Sequence, residues 1–442
     1  MTPSLPEWLA FVGTHPHDFT IQYPPRREYF MQNFRRVPAP SVREWLSDLD
    51  ELLLYLHVPF CEAKCFYCNF AVDVSSDEQV HRKYVDALLR ELESHADWLA
   101  NRRVLGVDIG GGTPTRLPIS ELTRIANAIR PFLSQSSHPF PTSIETTPRI
   151  AAEQPEKLAA LRAGGVDRVS LGVQSFNAVT LASVNRRRQI AQTDLAMANL
   201  RATGFARVNL DIIFGLPGQT LDDWKRDLER LIALAPDSVT TYDCLYRGQG
   251  RVLTKRTAAL PPPETYGAMY DLAHEMLGAA GWQAPYGSVN FCRHAAETGT
   301  SAYFEGRLLD GQPYLGLGNY ATSLRGNFWS FNAHSAPDYV ARVAAGANPC
   351  EFFYELPSAE SQAKYALFSL NYGFIDATRF VWRFGVRFEE FYVNDLTYAL
   401  AAGWLEQRGN HWHVKPGQFG RMHAIRSLFY PETARRWLMA LN

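Results

Sequence analysis

Long apolar runs are missing from this 442-residue chain: nothing approaches the roughly 18 consecutive apolar residues that a membrane-crossing helix requires. The first residues, Met1–Leu9, carry two prolines and a glutamate and lack the basic start and apolar stretch of a signal peptide. A cytoplasmic protein with no membrane partner is therefore expected. An excess of charge is missing too. Lys and Arg total 44 against 45 Asp and Glu, a formal net charge of -1, so no global field draws the chain to nucleic acid or to an acidic membrane. The short basic run Arg186-Arg187-Arg188 has the size of one anion contact or a solvated helix face. Cysteine is sparse, six in all, which rules out a disulfide scaffold. Internal repeats and low-complexity tracts are absent.

Three of those six cysteines nevertheless fall within eight residues, as Cys61-x3-Cys65-x2-Cys68. The others, Cys244, Cys292 and Cys350, are scattered and read as packed thiols. Three thiolates at this spacing can ligate three irons of a [4Fe-4S] cubane and leave the fourth iron open to a chelating ligand. Structural zinc would want four ligands. His57 is a conceivable fourth, but its place in the preceding strand reads better as packing. Tyr67, just before the last cysteine, suits packing beside a cluster or an adenine ring, and equally an ordinary core.

Around this motif the apolar pattern alternates. Strands are expected at 53–58, 104–109, 143–146, 169–173, 208–214 and 238–244. Between them helices are expected at 77–99, 119–132, 155–163, 191–203 and 221–234. Such βα units build a parallel sheet with right-handed crossovers. Six units, fewer than the eight of a closed barrel, point to a partial, open (β/α)6 barrel. Residues 1–50 read as an extended aromatic arm, 51–260 as the barrel and 261–330 as an extension with Gly-rich turns around Leu315–Gly318. The last part, 331–442, reads as a helical, winged-helix-like domain with a hairpin at 405–408 and 411–414.

In α/β barrels the working residues gather at the C-terminal ends of the strands. Here the cysteine loop follows the first strand, Gly110-Gly111-Gly112-Thr113-Pro114 the second, and Glu145 ends the third. Gln174 follows the fourth and Asp211 lies in the fifth. Each is a polar or glycine position beside an apolar strand, and buried polar groups need partners.

These pieces resemble the oxygen-independent coproporphyrinogen dehydrogenase (HemN-like) branch of radical SAM proteins over about residues 52–325. The matching segments are Tyr55-Leu56-His57-Val58-Pro59-Phe60-Cys61, Gly110–Thr115, Ser143-Ile144-Glu145, Gly172-Val173-Gln174-Ser175-Phe176, Asn209-Leu210-Asp211 and Gly215–Thr220. The resemblance implies a [4Fe-4S] cluster whose open iron chelates S-adenosylmethionine (SAM), and a 5'-deoxyadenosyl radical released on one-electron reduction. It implies a SAM site lined by Tyr55, Tyr67, Gly111, Gly112, Thr113, Glu145, Gln174, Arg186 and Asp211, with Asp211 on the ribose and Arg186 on the SAM carboxylate. A second SAM, a small-molecule substrate and a reductant such as flavodoxin or ferredoxin are further implications. Asn69-Phe70 stands where the dehydrogenases carry an extra cysteine. The Phe-Gln pair near their second SAM has no obvious counterpart around Tyr303-Phe304-Glu305, and Tyr242–Arg247 has its own character. The reading that follows is methyl or methylene transfer, that is methylation or cyclopropanation, to an sp2 carbon of an aromatic or conjugated natural product. The alternatives are coproporphyrinogen III decarboxylation, a haem chaperone using histidines such as His294 or His334, and anaerobic haem breakdown by methyl transfer.

Overall fold

The computed structural model describes residues 3–15, 23–24, 27–133, 136, 138–186, 192–244 and 260–441. Residues 187–188 of the basic run, 245–247 after the sixth strand and Pro25-Arg26 of the arm lie outside the described residues.

Six strands run parallel and in chain order: β1 (Glu51–Val58), β2 (Arg103–Gly111), β3 (Thr142–Thr146), β4 (Arg168–Gln174), β5 (Arg207–Phe214) and β6 (Ser238–Asp243). In β1, covered on both faces, Leu52, Leu53, Leu54, Leu56 and Val58 are all fully buried, whereas β3 and β6 carry several polar residues. Helices α1 (Glu78–Ser94), α2 (Ile119–Leu133), α3 (Pro155–Ala163), α4 (Thr193–Thr203) and α5 (Leu221–Leu234) return the chain between them. Their starts are written locally. Asp77 caps α1 through the Gln79 amide at 2.8 Å, and Thr220 and Asp223 form a capping box on α5. On α5, Trp224, Leu228 and Leu231 recur at helical spacing and are buried.

The sheet extends beyond these six strands to twelve. On one edge β7 (Asn290–Cys292) pairs antiparallel with β6. On the other, β8 (Tyr314–Leu317) lies parallel to β1, followed by the antiparallel meander β9 (Thr322–Arg325), β10 (Phe328–Asn332) and β11 (Cys350–Glu355). A two-residue strand, Arg35–Arg36, pairs with β11. The barrel is thus open. The segment around Leu315–Gly318, expected as turns, is mostly strand. Gly316 is required there because a Cβ would meet the Thr322 carbonyl oxygen at 2.2 Å, so the glycine serves close strand approach rather than a turn.

The amino-terminal arm also departs from expectation. It contains helices Leu5–Thr14, Arg27–Asn33 and Val42–Trp45, and its aromatics belong to the core. Tyr23 and Tyr29 both donate to the buried Glu360 carboxylate, and the Trp8 indole donates to the Ser427 carbonyl at 3.0 Å. Beyond β11, α6 (Pro263–Ala279) having come earlier, stand α7 (Ser358–Ser369) and α8 (Ala377–Phe384). A three-stranded sheet places β14 (His411–Val414) between β12 (Phe374–Asp376) and β13 (Leu405–Arg408). The expected hairpin is present, with β12 added. Two short helices, Phe388–Phe391 and Val393–Ala401, meet at Tyr392 before the hairpin. No helix among the described residues is long and apolar enough to cross a membrane.

Candidate cofactor site at the barrel rim

The loop after β1 is folded back on itself and then pinned across the sheet. Asp73 and Pro59 exchange backbone contacts at its base: the Cys61 amide donates to the Asp73 carbonyl, and the Asp73 amide to the Pro59 carbonyl, each at 2.9 Å. At its tip the Phe66 amide donates to the Val184 carbonyl at 3.0 Å, and the Asn185 side chain to the Lys64 carbonyl at 3.0 Å. Phe66 and Tyr67 pack against a small apolar group formed by Val184, Ile213, Leu216 and Cys244. Glu62 forms an ion pair with Arg149. These contacts tie the loop to Val184 and Asn185, to the end of β5 and to Arg149.

Within it the three thiols stand near one another and near the neighbouring strand ends. Cys61 Sγ is 3.6 Å from the Thr113 hydroxyl, and Arg186 Nη1 is 3.9 Å from Cys65 Sγ. Burial pushes the Cys61 thiol up to about 12 and raises Cys68 as well; iron must displace those protons on binding. Among the described residues, no three His, Cys, Asp or Glu side chains converge tightly enough to hold a single ion. A cubane takes each thiolate on a different iron. His57 does not offer a fourth ligand in this arrangement. It is buried in β1, its Nδ1 lies 3.3 Å from the Tyr55 hydroxyl, and burial depresses its pKa to about 4.

The glycine run after β2 lies directly under the cysteine loop. The Gly112 amide donates to the Val58 carbonyl at 2.8 Å and the Thr113 amide to the Phe60 carbonyl at 2.7 Å. A Cβ on Gly112 would meet the Pro59 carbonyl oxygen at 2.5 Å, and Gly111 has φ +113°. The Gly111 amide donates to Glu145 at 3.2 Å. Across the rim Arg186 donates to the Tyr67 hydroxyl at 2.9 Å and to the Gly172 carbonyl. Gln174 sits in left-handed backbone, φ 73°, at a register shift between β4 and β5. Such a bulge re-aims one side chain. Asp211 accepts from Ser170 at 2.7 Å and from Asn209 at 2.7 Å.

Below the rim opens a cleft whose wall includes Asp108, Glu145, Arg168, Asp211, Tyr242 and Tyr372. Burial, with Asp211 and Asp108 adding repulsion, pushes Glu145 up to about 8; burial alone dominates at Asp108, pushed up to about 7, and also raises Asp211. Asp108 accepts from Ser301 at 2.7 Å on one oxygen and has no partner on the other. Gln174 Oε1 and Arg186 Nε are also buried without partners. Partnerless polar atoms of both signs on one rim fit a ligand that carries donors, acceptors and charge, as SAM does. Sequence reasoning flagged the strand ends and missed Asp108, Arg168 and Ser301. The available signal was a charged residue inside an apolar strand, as in Val107-Asp108-Ile109. The two histidines weighed as haem ligands lie apart. His294 pairs with Asp237 at 2.9 Å just before β6, while His334 packs on Tyr320, whose hydroxyl reaches the cysteine loop at Asn69.

The Radical SAM superfamily matches residues 55–231, which span every rim residue named above. The oxygen-independent coproporphyrinogen III oxidase of Pseudomonas aeruginosa is 32% identical over 309 residues, covering 67% of this chain; the chain spans about two thirds of that relative, 66%. The heme chaperone HemW of Mycobacterium tuberculosis is 32% identical over 307 residues, covering 66% of this chain and 74% of its own. The chain belongs to the HemN-like family of radical SAM proteins. It is a radical SAM enzyme, and a [4Fe-4S] cluster and SAM are its cofactors. The fold agrees: the structure of coproporphyrinogen III oxidase (HemN) from Escherichia coli superposes with a TM-score of 0.73 at 22% identity, over 91% of this chain and 98% of that one.

Proposed function

We propose that this HemN-like protein acts on a tetrapyrrole, and that its reaction is the oxidative decarboxylation of coproporphyrinogen III. In this reading Cys61, Cys65 and Cys68 each hold one iron. Arg186 takes the SAM carboxylate, Asp211 the ribose, and Glu145, Gln174, Tyr55, Tyr67 and the Gly111–Thr113 backbone complete the cofactor site. When bound, the cluster and SAM supply one-electron cleavage and a hydrogen-abstracting radical. The chain's part is to orient SAM by charge-assisted contacts and to exclude water beneath the cysteine loop. A second SAM and a flavodoxin or ferredoxin donor belong to the same proposal. The observation that carries it is the 32% identity to a coproporphyrinogen III oxidase together with a cleft that begins at the rim residues.

A second reading, haem delivery, has its own support. Asn69-Phe70 replaces the extra cysteine of the dehydrogenases, and the HemW relative is matched over more of its length. Methyl or methylene transfer gains no support from either relative. One anaerobic assay separates them. Reconstituted protein is given reductant, SAM and either coproporphyrinogen III or haem. Carbon dioxide release with 5'-deoxyadenosine supports decarboxylation. Tight haem binding with no carbon dioxide overturns it for the chaperone reading, and methylthioadenosine or S-adenosylhomocysteine overturns both.

A further inference from the structure

A second, smaller pocket, open to solvent on one side, lies behind the wall of the cleft, and Leu308 lines both. Three cations line it: Arg307 on the turn Glu305–Leu309, Lys364 on α7 and Arg383 on α8. No Asp or Glu does. Lys364 is 5% exposed. Its ammonium lies 3.8 Å from the ring centre of Trp329 and 4.5 Å from that of Phe368, and its hydrogen bond goes to the Tyr23 carbonyl at 3.4 Å. Burial, then the charges of Arg307 and Arg383, hold its pKa well below the ordinary lysine range. Arg307 stacks over Tyr314 at 4.6 Å and reaches the Tyr303 hydroxyl at 3.3 Å, yet its Nε has no partner. Arg383 donates to the Gly311 carbonyl. Ser361 Oγ, in a residue 5% exposed, is also without a partner. The carboxylates of the adjoining segments have other partners: Asp310 and Asp376 pair with Arg379, Glu305 accepts from Thr298, and Glu360 accepts from Tyr23, Tyr29 and Thr433.

Two half-buried guanidiniums and a buried lysine amine meet here without a lining carboxylate, and aromatic faces offset only part of the cost of holding positive charge there. We propose that this pocket binds an oxyanion, the carboxylate or phosphate group of a small molecule, with Arg307, Lys364 and Arg383 as charge partners and Ser361 as a hydroxyl donor. Guanidinium forks suit both anions, and the ligand draws a proton onto Lys364 as it binds. This site lies outside the cofactor rim, and its test needs neither turnover nor the proposed substrate.

The holoenzyme is titrated calorimetrically with inorganic phosphate and, separately, with succinate, at fixed ionic strength in chloride and in two buffers of different ionisation enthalpy. Saturable binding with proton uptake is expected, with the tighter of the two anions naming the group. Lys364→Met should weaken binding about tenfold or more and abolish the proton uptake, and Ser361→Ala should weaken it roughly threefold, the sizes lost with a charged and a neutral hydrogen bond. Should Lys364→Met fail to fold, Ser361→Ala and the wild-type proton uptake decide. Absence of saturable binding for both anions, or unchanged affinity in the folded variants, overturns the proposal.

Discussion

Two buried carboxylate sites in this protein look alike by charge and differ in their hydrogen bonds. Glu91, on α1, accepts from the Gly318 amide at 2.9 Å, from Asn332 at 3.1 Å and from the Tyr339 hydroxyl. Burial pushes its pKa up to about 7. Asp108 in the cleft is pushed as high by the same cause, yet one of its oxygens has no protein partner, and Glu145 has a single amide donor. A raised pKa therefore marks burial in both places. Incomplete hydrogen bonding marks where a ligand completes the structure. The first site locks α1 to the β8–β10 edge; the second, in the proposed function, is completed by cofactor and substrate.

The sharpest way to break that comparison is at the cysteines. Serine at Cys61, Cys65 or Cys68 should bring reductive SAM cleavage to background and remove iron–sulfur absorption. The melting temperature of the iron-free protein should stay unchanged, because loop backbone contacts and the Val184 group hold the segment without metal. Retained cleavage in any one of the three would remove the ligand assignment.

At the saturated site the losses reverse. Glu91→Ala strands the donors of Tyr339, Asn332 and Gly318, and should cost about 3–5 kcal/mol of stability in a denaturant titration. SAM affinity of the folded fraction should be unaffected. The pH dependence sharpens this. A folded-state pKa near 7 against an ordinary 4.5 means that the folded protein keeps a proton the unfolded chain has released. The contribution is full below about pH 4.5 and is lost as pH rises through about 7, at most about 3 kcal/mol. The wild-type minus Glu91→Gln difference in unfolding free energy should carry that slope, and a flat difference would show that Glu91 is not the group responsible.

At the open site, Arg186→Gln should weaken SAM binding roughly 10- to 100-fold, the loss of charge-assisted hydrogen bonds of about 1.5–3 kcal/mol. Its stability should also fall, by about 1–3 kcal/mol, because the bonds to the Tyr67 hydroxyl and the Gly172 carbonyl are lost. Equal SAM affinity by equilibrium dialysis would dissociate Arg186 from the cofactor.

The six parallel strands and their rim were legible because the βα period is local: α3 and α5 begin and end where the pattern puts them. The site was legible where chemistry is written in consecutive residues, as in the cysteine loop and Gly110–Pro114. What escaped depends on distant partners. β8 pairs with a strand some 260 residues earlier in the chain, and its glycines imitate a turn. The arm's aromatics point to packing on the main domain but not to the partner, which is Glu360, more than 330 residues away, beneath Tyr23 and Tyr29. Asp108 and Arg168 are spaced like ordinary strand residues, and only the sheet brings them to one cleft.

The smallest expected effect tests whether the rim stores strain. Gln174 holds φ 73° at the bulge, a conformation that costs a residue with a Cβ about 1 kcal/mol or more. Its side-chain Oε1 is buried there without a protein partner. Gln174→Gly relieves the backbone and removes the side chain together. The glycine's extra freedom in the unfolded chain offsets part of the gain, so stability by denaturant titration should rise by no more than about 1 kcal/mol. SAM affinity should fall in the same protein. A rise in stability with a fall in affinity is the behaviour of a position shaped by its ligand, whereas the Glu91 site can give no such trade, since each of its bonds is already made within the fold. A fall in both would mean that the Gln174 side chain supports the rim rather than the cofactor.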